Sequence, residues 1–164
     1  MSISVTALRR LRRDSRGVTA VEFALVLPVI LTLLLLVLEV STLFLAQSLL
    51  ESAALRGARL GSTGWTESDR SREQTVREYV ASQAIGLLVP ANLTVTPKAY
   101  ADFAAIDTTP AASVPVSFGA PGQVVVYTFT YPWRGVTPFF QSVFAGRAID
   151  LRAKATIRNE PYAS

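Results

Sequence analysis

One apolar stretch near the N-terminus constrains the fold of this chain more than any other feature. Between Val18 and Ala46 only two residues are charged, Glu22 and Glu39. A helix that spans the hydrocarbon core of a bilayer needs about 20 mostly apolar residues. A helix on the surface of a soluble protein would show a polar stripe at a period of 3.6 residues, and residues 33–38 contain no polar residue. The sequence therefore predicts a transmembrane helix over residues 18–46.

The positive charge of the chain is concentrated before this stretch. Residues 1–17 hold five arginines and one acidic residue, whereas the whole chain has 16 basic and 12 acidic residues, so residues 18–164 are formally neutral. Basic residues that flank a transmembrane helix stay in the cytoplasm. The pattern predicts a single-pass protein of the plasma membrane, with a cytoplasmic N-terminus and a periplasmic or otherwise extracytoplasmic C-terminal domain. It argues against nucleic-acid binding, despite a pI of about 9.9.

The alternative for the apolar stretch is a cleaved secretory signal, whose apolar part is usually about 7–15 residues long. Here the run is longer, and small and apolar residues continue at helical spacing from Leu49 to Gly61. We therefore favour one long helix, with a transmembrane part at 18–46 and a stem at 47–62.

A second, amphipathic helix is predicted after a polar loop. Ser71 and Gln74 have the spacing of a capping box, and apolar residues then recur at a helical period. Gly86 and Pro90 are typical of a helix end, so the prediction for this helix is 72–88.

The rest of the sequence predicts a small antiparallel sheet of about three strands, at 93–96, 123–131 and 148–158. The first is expected to stop at Pro97, and the last alternates apolar and polar residues, which is typical of a strand with one wet face. The loop at 132–146 carries aromatic residues that form either a subunit-packing patch or local core: Trp133, Phe139 and Phe140. The predicted fold class is α+β, with an extracytoplasmic domain at 63–164.

The chain contains no cysteine and no histidine. This excludes thiolate nucleophiles, imidazole bases and the usual zinc ligands. A serine hydrolase would need Lys98 or Lys154 as its base, and Lys154 alternates with solvent-facing positions. We therefore expect no catalytic residues, no metal ion and no cofactor, and predict that the protein is not an enzyme.

The stretch RRDSRGVTAVEFALVLPVILTLLLLVLEVS resembles the N-terminus of TadE/TadG-like proteins, the minor pilins (pseudopilins) of tight-adherence, Flp-type pilus systems. The family pattern has a basic leader that ends in Gly, a Glu at the fifth position after it, usually an aromatic residue next, and a Leu-rich helix that contains Pro. Gly17, Glu22, Phe23 and Pro28 occupy these positions. The later AALRGARLGSTG resembles the family's stem, and residues 148–161 resemble its last strand loosely.

The resemblance implies a type IV prepilin signal at residues 1–17, which prepilin peptidase would cut between Gly17 and Val18. The new α-amine of Val18 would be largely cationic at neutral pH. Glu22 lies four residues later, on the same helix face, and would pair with this amine or with that of a neighbouring subunit. The alternative is that Glu22 lies at the headgroup level, where the cost of its charge is small. The implied function is pilus assembly and adhesion. The implied partners are the peptidase, the major pilin, sister minor pilins, the inner-membrane platform and the lipid bilayer.

Two questions stay open on the sequence. Family members commonly carry an aromatic and a small residue after the second acidic residue of the helix, but here Val40 and Ser41 follow Glu39. Glu39 is either at the outer membrane–water boundary, which we favour, or a second intramembrane charge used in pairing. The alternative function is a membrane-tethered extracytoplasmic binding module that is unrelated to pili.

Overall fold

A computed structural model describes residues 16–66, 69–143 and 145–161. The fold consists of one long N-terminal helix, a few short helices and a small antiparallel sheet, which confirms the predicted α+β class. Most of the predicted leader, residues 1–15, lies outside the described residues. Helix α1 runs without interruption over Arg16–Ser62, 47 residues in all.

Helix α1 has two parts that differ in burial. Every residue from 18 to 38 is exposed, on all sides of the helix. From Glu39 onward one face is buried, at the spacing of an α-helix. The buried positions of this face include Ala46, Leu50, Ala53, Ala54 and Ala58.

Helix α2, Arg72–Ser82, packs on the buried part of α1 and runs in the opposite direction. The Arg72 side chain donates to the carbonyl of Gly61, 2.8 Å from its Nε, while Arg56 donates to the Gln83 side chain at 3.2 Å. The predicted capping box is confirmed, because Ser71 and Gln74 each accept from the other's backbone N–H.

Helix α2 ends six residues earlier than predicted. Residues 83–86 form turns and residues 87–88 a bend, and Ile85 and Gly86 have φ values of 50° and 77°. Two consecutive residues in the left-handed region end a right-handed helix. The apolar residues after Ser82 recur at helical spacing in the sequence, although they are not in a helix. Ala84 and Leu88 are buried, so this segment contributes to the core without being helical.

The sheet has three antiparallel strands, as predicted, and the structure gives their order as β1–β2–β3. They are β1 (Thr94–Tyr100), β2 (Val124–Trp133) and β3 (Ile149–Arg158). Two short helices lie in the connections, α3 (Ala104–Thr108) and α4 (Pro138–Val143). Single 3-10 turns occupy Pro90–Asn92 and Ala111–Ser113.

Strand β1 does not stop at Pro97, contrary to the sequence prediction. Pro97 pairs with Tyr127, and β1 continues to Tyr100. The Pro97 carbonyl accepts from the backbone N–H of Ser117, at 3.0 Å, on the side of β1 that faces away from β2. In an antiparallel strand the N–H and C=O of one residue point to the same side, so the missing N–H of Pro97 falls on this outer edge, where proline is tolerated.

The core lies between one face of the sheet and the buried part of α1 and α2. One face of β2 is buried in this core: Val125, Tyr127, Phe129 and Tyr131. The sequence left open whether three aromatic residues of the loop form a subunit-packing patch or local core. Trp133 and Phe140 are buried and belong to the local core, while Phe139 is half-buried.

Strand β3 lies along α1 and runs in the same direction. The Gln47 side chain donates to the Arg152 carbonyl at 3.0 Å, and the Glu160 N–H donates to the Ser62 carbonyl at 3.0 Å. The far end of β2 and the start of β3, paired at Trp133 and Ile149, therefore lie at the Glu39 end of the packed helix.

Candidate functional site

The predicted processing residues lie in the first turns of α1. Gly17 is helical, and Val18, Glu22 and Phe23 are exposed. Val18 and Glu22 are four residues apart, which places them on one face of the helix about one turn apart. The geometry keeps the Glu22 side chain within reach of an amine at position 18, and equally accessible to another chain.

Pro28 lies inside α1, and the helix continues through it. Proline cannot donate to the carbonyl four residues before it. One turn later, the Thr32 hydroxyl donates to the Pro28 carbonyl, with an O–O distance of 2.7 Å. Ser41 donates in the same way to the Val37 carbonyl at 2.7 Å. Both hydroxyl groups therefore donate a hydrogen bond within their own helix, as an apolar surrounding requires.

The exposed part of α1 has the length of a bilayer core. Residues 18–38 span about 32 Å at ~1.5 Å per residue, against ~30 Å for the hydrocarbon core. Val18–Ser62 is a helix long and apolar enough to cross a membrane, and its most apolar window is not buried against the rest of the chain. An N-terminal apolar helix of this kind points to single-pass membrane anchoring.

Glu39 is the first buried residue of α1, and only 1% of its surface is exposed. Its Oε1 accepts from the backbone N–H of Val136 at 2.8 Å. Its Oε2 accepts from the backbone N–H of Thr137 at 3.0 Å and from the Thr137 hydroxyl at 2.8 Å. The indole of Trp133 also lies against this carboxylate.

The same residues begin helix α4. The Thr137 hydroxyl accepts from the Phe140 N–H at 3.2 Å and thereby caps the helix, while Pro138 occupies its first position. Gly135 has a φ of 81°, and a Cβ there would lie 2.8 Å from Glu39 Oε1 and 2.4 Å from Phe140 Cδ1. The close approach to Glu39 therefore requires glycine.

No lysine or arginine of the described ranges forms an ion pair with Glu39. Its charge is stabilised by backbone and hydroxyl dipoles, as anions are at helix N-termini. The structure places Glu39 about 25 Å along α1 from Glu22, at ~1.5 Å per residue. The two acidic residues therefore lie at opposite ends of the exposed helix, and Glu39 joins this helix to the folded domain.

Sequence reasoning missed the partners of Glu39, which are 97 and 98 residues away in the chain. One local signal was present. Thr137 followed by Pro138 is typical of a helix N-terminus, where backbone N–H groups are free to bind a carboxylate.

Residues 17–59 match the model of a protein family described as TadE-like protein. No curated protein and no solved structure matches the chain significantly. The match confirms the resemblance to TadE/TadG-like proteins over the exposed helix and most of its packed continuation. A TadE-like sequence points to involvement in a Tad pilus system.

Proposed function

We propose that this protein is a minor pilin of a tight-adherence pilus, made as a precursor and cut by prepilin peptidase after Gly17. It acts in pilus assembly and surface adherence, and it catalyses no reaction. Its partners are the peptidase, the major pilin, sister minor pilins and the inner-membrane platform. Before incorporation it is held by a single transmembrane helix, with the α+β domain outside the cytoplasm.

One observation carries this proposal: the TadE-like match, at residues 17–59, falls on one continuous helix. Residues 18–38 of this helix are exposed, and from Glu39 onward it packs against the domain. A subunit that is first anchored and later assembled needs an apolar helix that its own domain leaves uncovered. The domain must also be fixed to that helix, and the packed face of α1 supplies this attachment.

Proteolysis changes the electrostatics at the start of α1. The cut removes the arginines that hold the leader in the cytoplasm and creates an ammonium group on Val18. An acidic residue costs roughly 2.5–3.5 kcal/mol on insertion scales at mid-bilayer, and less at a place near one end of the span such as that of Glu22. Pairing with an ammonium lowers this cost, so Glu22 is neutralised either within its own chain or across a contact between subunits.

The mass of the mature chain, purified from cells that possess the peptidase, tests the proposal. We expect a chain that begins at Val18. An intact N-terminus would instead support the membrane-tethered binding module.

A second experiment tests the role of the charge. Replacing Glu22 by Gln keeps the shape of the side chain and removes the charge, so we expect impaired incorporation into pili. Glu51→Gln is the matched control, because Glu51 is exposed on the packed part of the same helix. Equal piliation in the two variants would contradict the pairing mechanism.

A further inference from the structure

The connection between β2 and β3, residues 134–143 and 145–148, lies at the end of the domain that faces the exposed part of α1. It begins after Trp133 and ends before Ile149, the pair that closes the β2–β3 hairpin at this end. The hydrogen bonds from Val136 and Thr137 to Glu39 fix this β2–β3 loop to the first buried residue of α1. The loop is therefore held where the lipid-length part of the helix ends.

The outer surface of the β2–β3 loop combines apolar side chains with arginines. Val136 is 56% exposed, Val143 is 61% exposed, and Phe139 between them is half-buried. Arg134 and Arg147 are exposed, and neither forms an ion pair with another residue that the structure describes. Apolar side chains beside free guanidinium groups are typical of segments that lie in a membrane interface.

We propose that the β2–β3 loop is a second membrane contact, which rests on the outer surface of the bilayer. Val136 and Val143 enter the boundary between headgroups and acyl chains, and Arg134 and Arg147 bind lipid phosphates. The inference rests on the membrane anchor of the proposed function and not on pilin processing.

The membrane is the occupant that the geometry favours, because the loop is continuous with the anchor. Residues 18–38 match the hydrocarbon thickness, so Glu39 lies close to the outer boundary of the bilayer. A loop bound directly to Glu39 must then lie at headgroup level. With a contact on both the helix and the loop, the domain would have a fixed orientation to the membrane before assembly.

Spin-label accessibility in the full chain tests this contact. The chain contains no cysteine, so each substitution gives a single labelling site. The test sites are Val136→Cys and Val143→Cys. Val116→Cys is the matched control, because Val116 is 66% exposed and bridges β1 at Lys98, away from the loop. Leu33→Cys marks the lipid core. All four variants are reconstituted in vesicles that contain anionic phospholipid.

We expect the labels at 136 and 143 to collide more with oxygen than with a water-soluble nickel chelate, as the label at 33 does, and the label at 116 to show the reverse. Labels at 136 and 143 that behave like the label at 116, while the label at 33 lies in lipid, would overturn the loop contact alone. A water-exposed label at 33 would overturn the anchor together with it. Dipolar broadening at 143 that disappears on dilution with unlabelled chain would show a second copy on the loop, which also overturns the proposal.

The arginines are tested separately in the Val136→Cys chain. We expect its label to lie deeper in anionic than in purely zwitterionic vesicles, because phosphate binding and surface attraction add for arginine. The added changes Arg134→Gln and Arg147→Gln should remove this difference. An equal depth in both lipids with the arginines present would overturn their role.

Discussion

The two parts of helix α1 differ in what surrounds them, although they are one continuous helix. Residues 18–38 are exposed on every side, whereas residues 39–62 bury one face against α2 and the sheet. Leu33 in the first part is 57% exposed, and Leu50 in the second is fully buried. The same residue type is therefore left uncovered by the protein in the first part and is packed inside the protein in the second.

Side-chain size separates the two parts. The exposed part carries bulky aliphatic residues all round, while the packed part places alanine and glycine on its buried face. A Cβ at Gly57 would lie 2.3 Å from Val80 Cγ2, and one at Gly61 would lie 2.5 Å from the Tyr127 hydroxyl oxygen. Small residues let α2 and β2 approach the helix closely. The difference teaches that size and spacing, more than hydrophobicity, distinguish the packed helix from the anchor.

The largest expected effect comes from one substitution made in both parts. Leu50→Ala should lower the free energy of unfolding of the domain by about 2–5 kcal/mol, because it opens a cavity in the core. Leu33→Ala should change it by less than ~0.5 kcal/mol. Denaturant unfolding in detergent, followed by tryptophan fluorescence, measures both. Similar losses of unfolding free energy in the two variants would contradict the difference between the packed and the exposed part of α1.

The next largest effect is expected at Glu39, where the exposed part of α1 meets the packed part. Glu39→Ala leaves the N–H groups of Val136 and Thr137 without their acceptor, and we expect a loss of about 2–3 kcal/mol. Amide hydrogen exchange at these two residues should rise. Glu51→Ala, an exposed acidic residue on the same helix, is the control and should leave both quantities nearly unchanged. A Glu39→Ala chain with normal protection of the loop would contradict the role of Glu39.

A smaller effect is expected where α2 meets the packed part. Gly57→Ala gains about 1 kcal/mol of helix propensity, but overpacking against Val80 costs about 1–3 kcal/mol. We expect a net loss of about 1 kcal/mol. In a Val80→Ala background the contact is absent, so the same change should stabilise the domain. Additive effects of the two changes in a double-mutant cycle would exclude this close contact.

The smallest effect is expected at the start of α2. Ser71→Ala removes the N-cap hydroxyl and should cost about 1 kcal/mol. Ser82→Ala, at the other end of the helix, removes an exposed hydroxyl that donates to the Tyr79 carbonyl within the same helix, and should cost less than ~0.5 kcal/mol. Because α2 covers only the packed part of α1, neither change should alter membrane insertion, which carbonate extraction measures.

Local patterns were enough to predict the long helix, the cap of α2 and strand β3. Each depends on residues close in sequence, such as Ser71 with Gln74 or the alternation along β3. The continuation of β1 through Pro97 was missed because it depends on which edge of the sheet the strand occupies. The end of α2 was missed because Ala84 and Leu88 are core residues at helical spacing outside a helix.

The junction at Glu39 was the least predictable part of the site. Its location near the end of the apolar stretch was visible in the sequence, but its partners come from a loop nearly 100 residues later. A carboxylate that binds backbone N–H groups needs no charged partner residue, so no complementary charge marks the contact in the sequence.

The most direct test of the two-part helix is the reactivity of matched cysteines with a membrane-impermeant maleimide in intact membranes. Leu33→Cys and Leu55→Cys are suitable, since Leu33 and Leu55 are 57% and 64% exposed on the protein itself. If residues 18–38 are surrounded by lipid and residues 39–62 by water and protein, the cysteine at 55 reacts and the cysteine at 33 does not until detergent is added. Equal reactivity of the two before detergent would contradict the account.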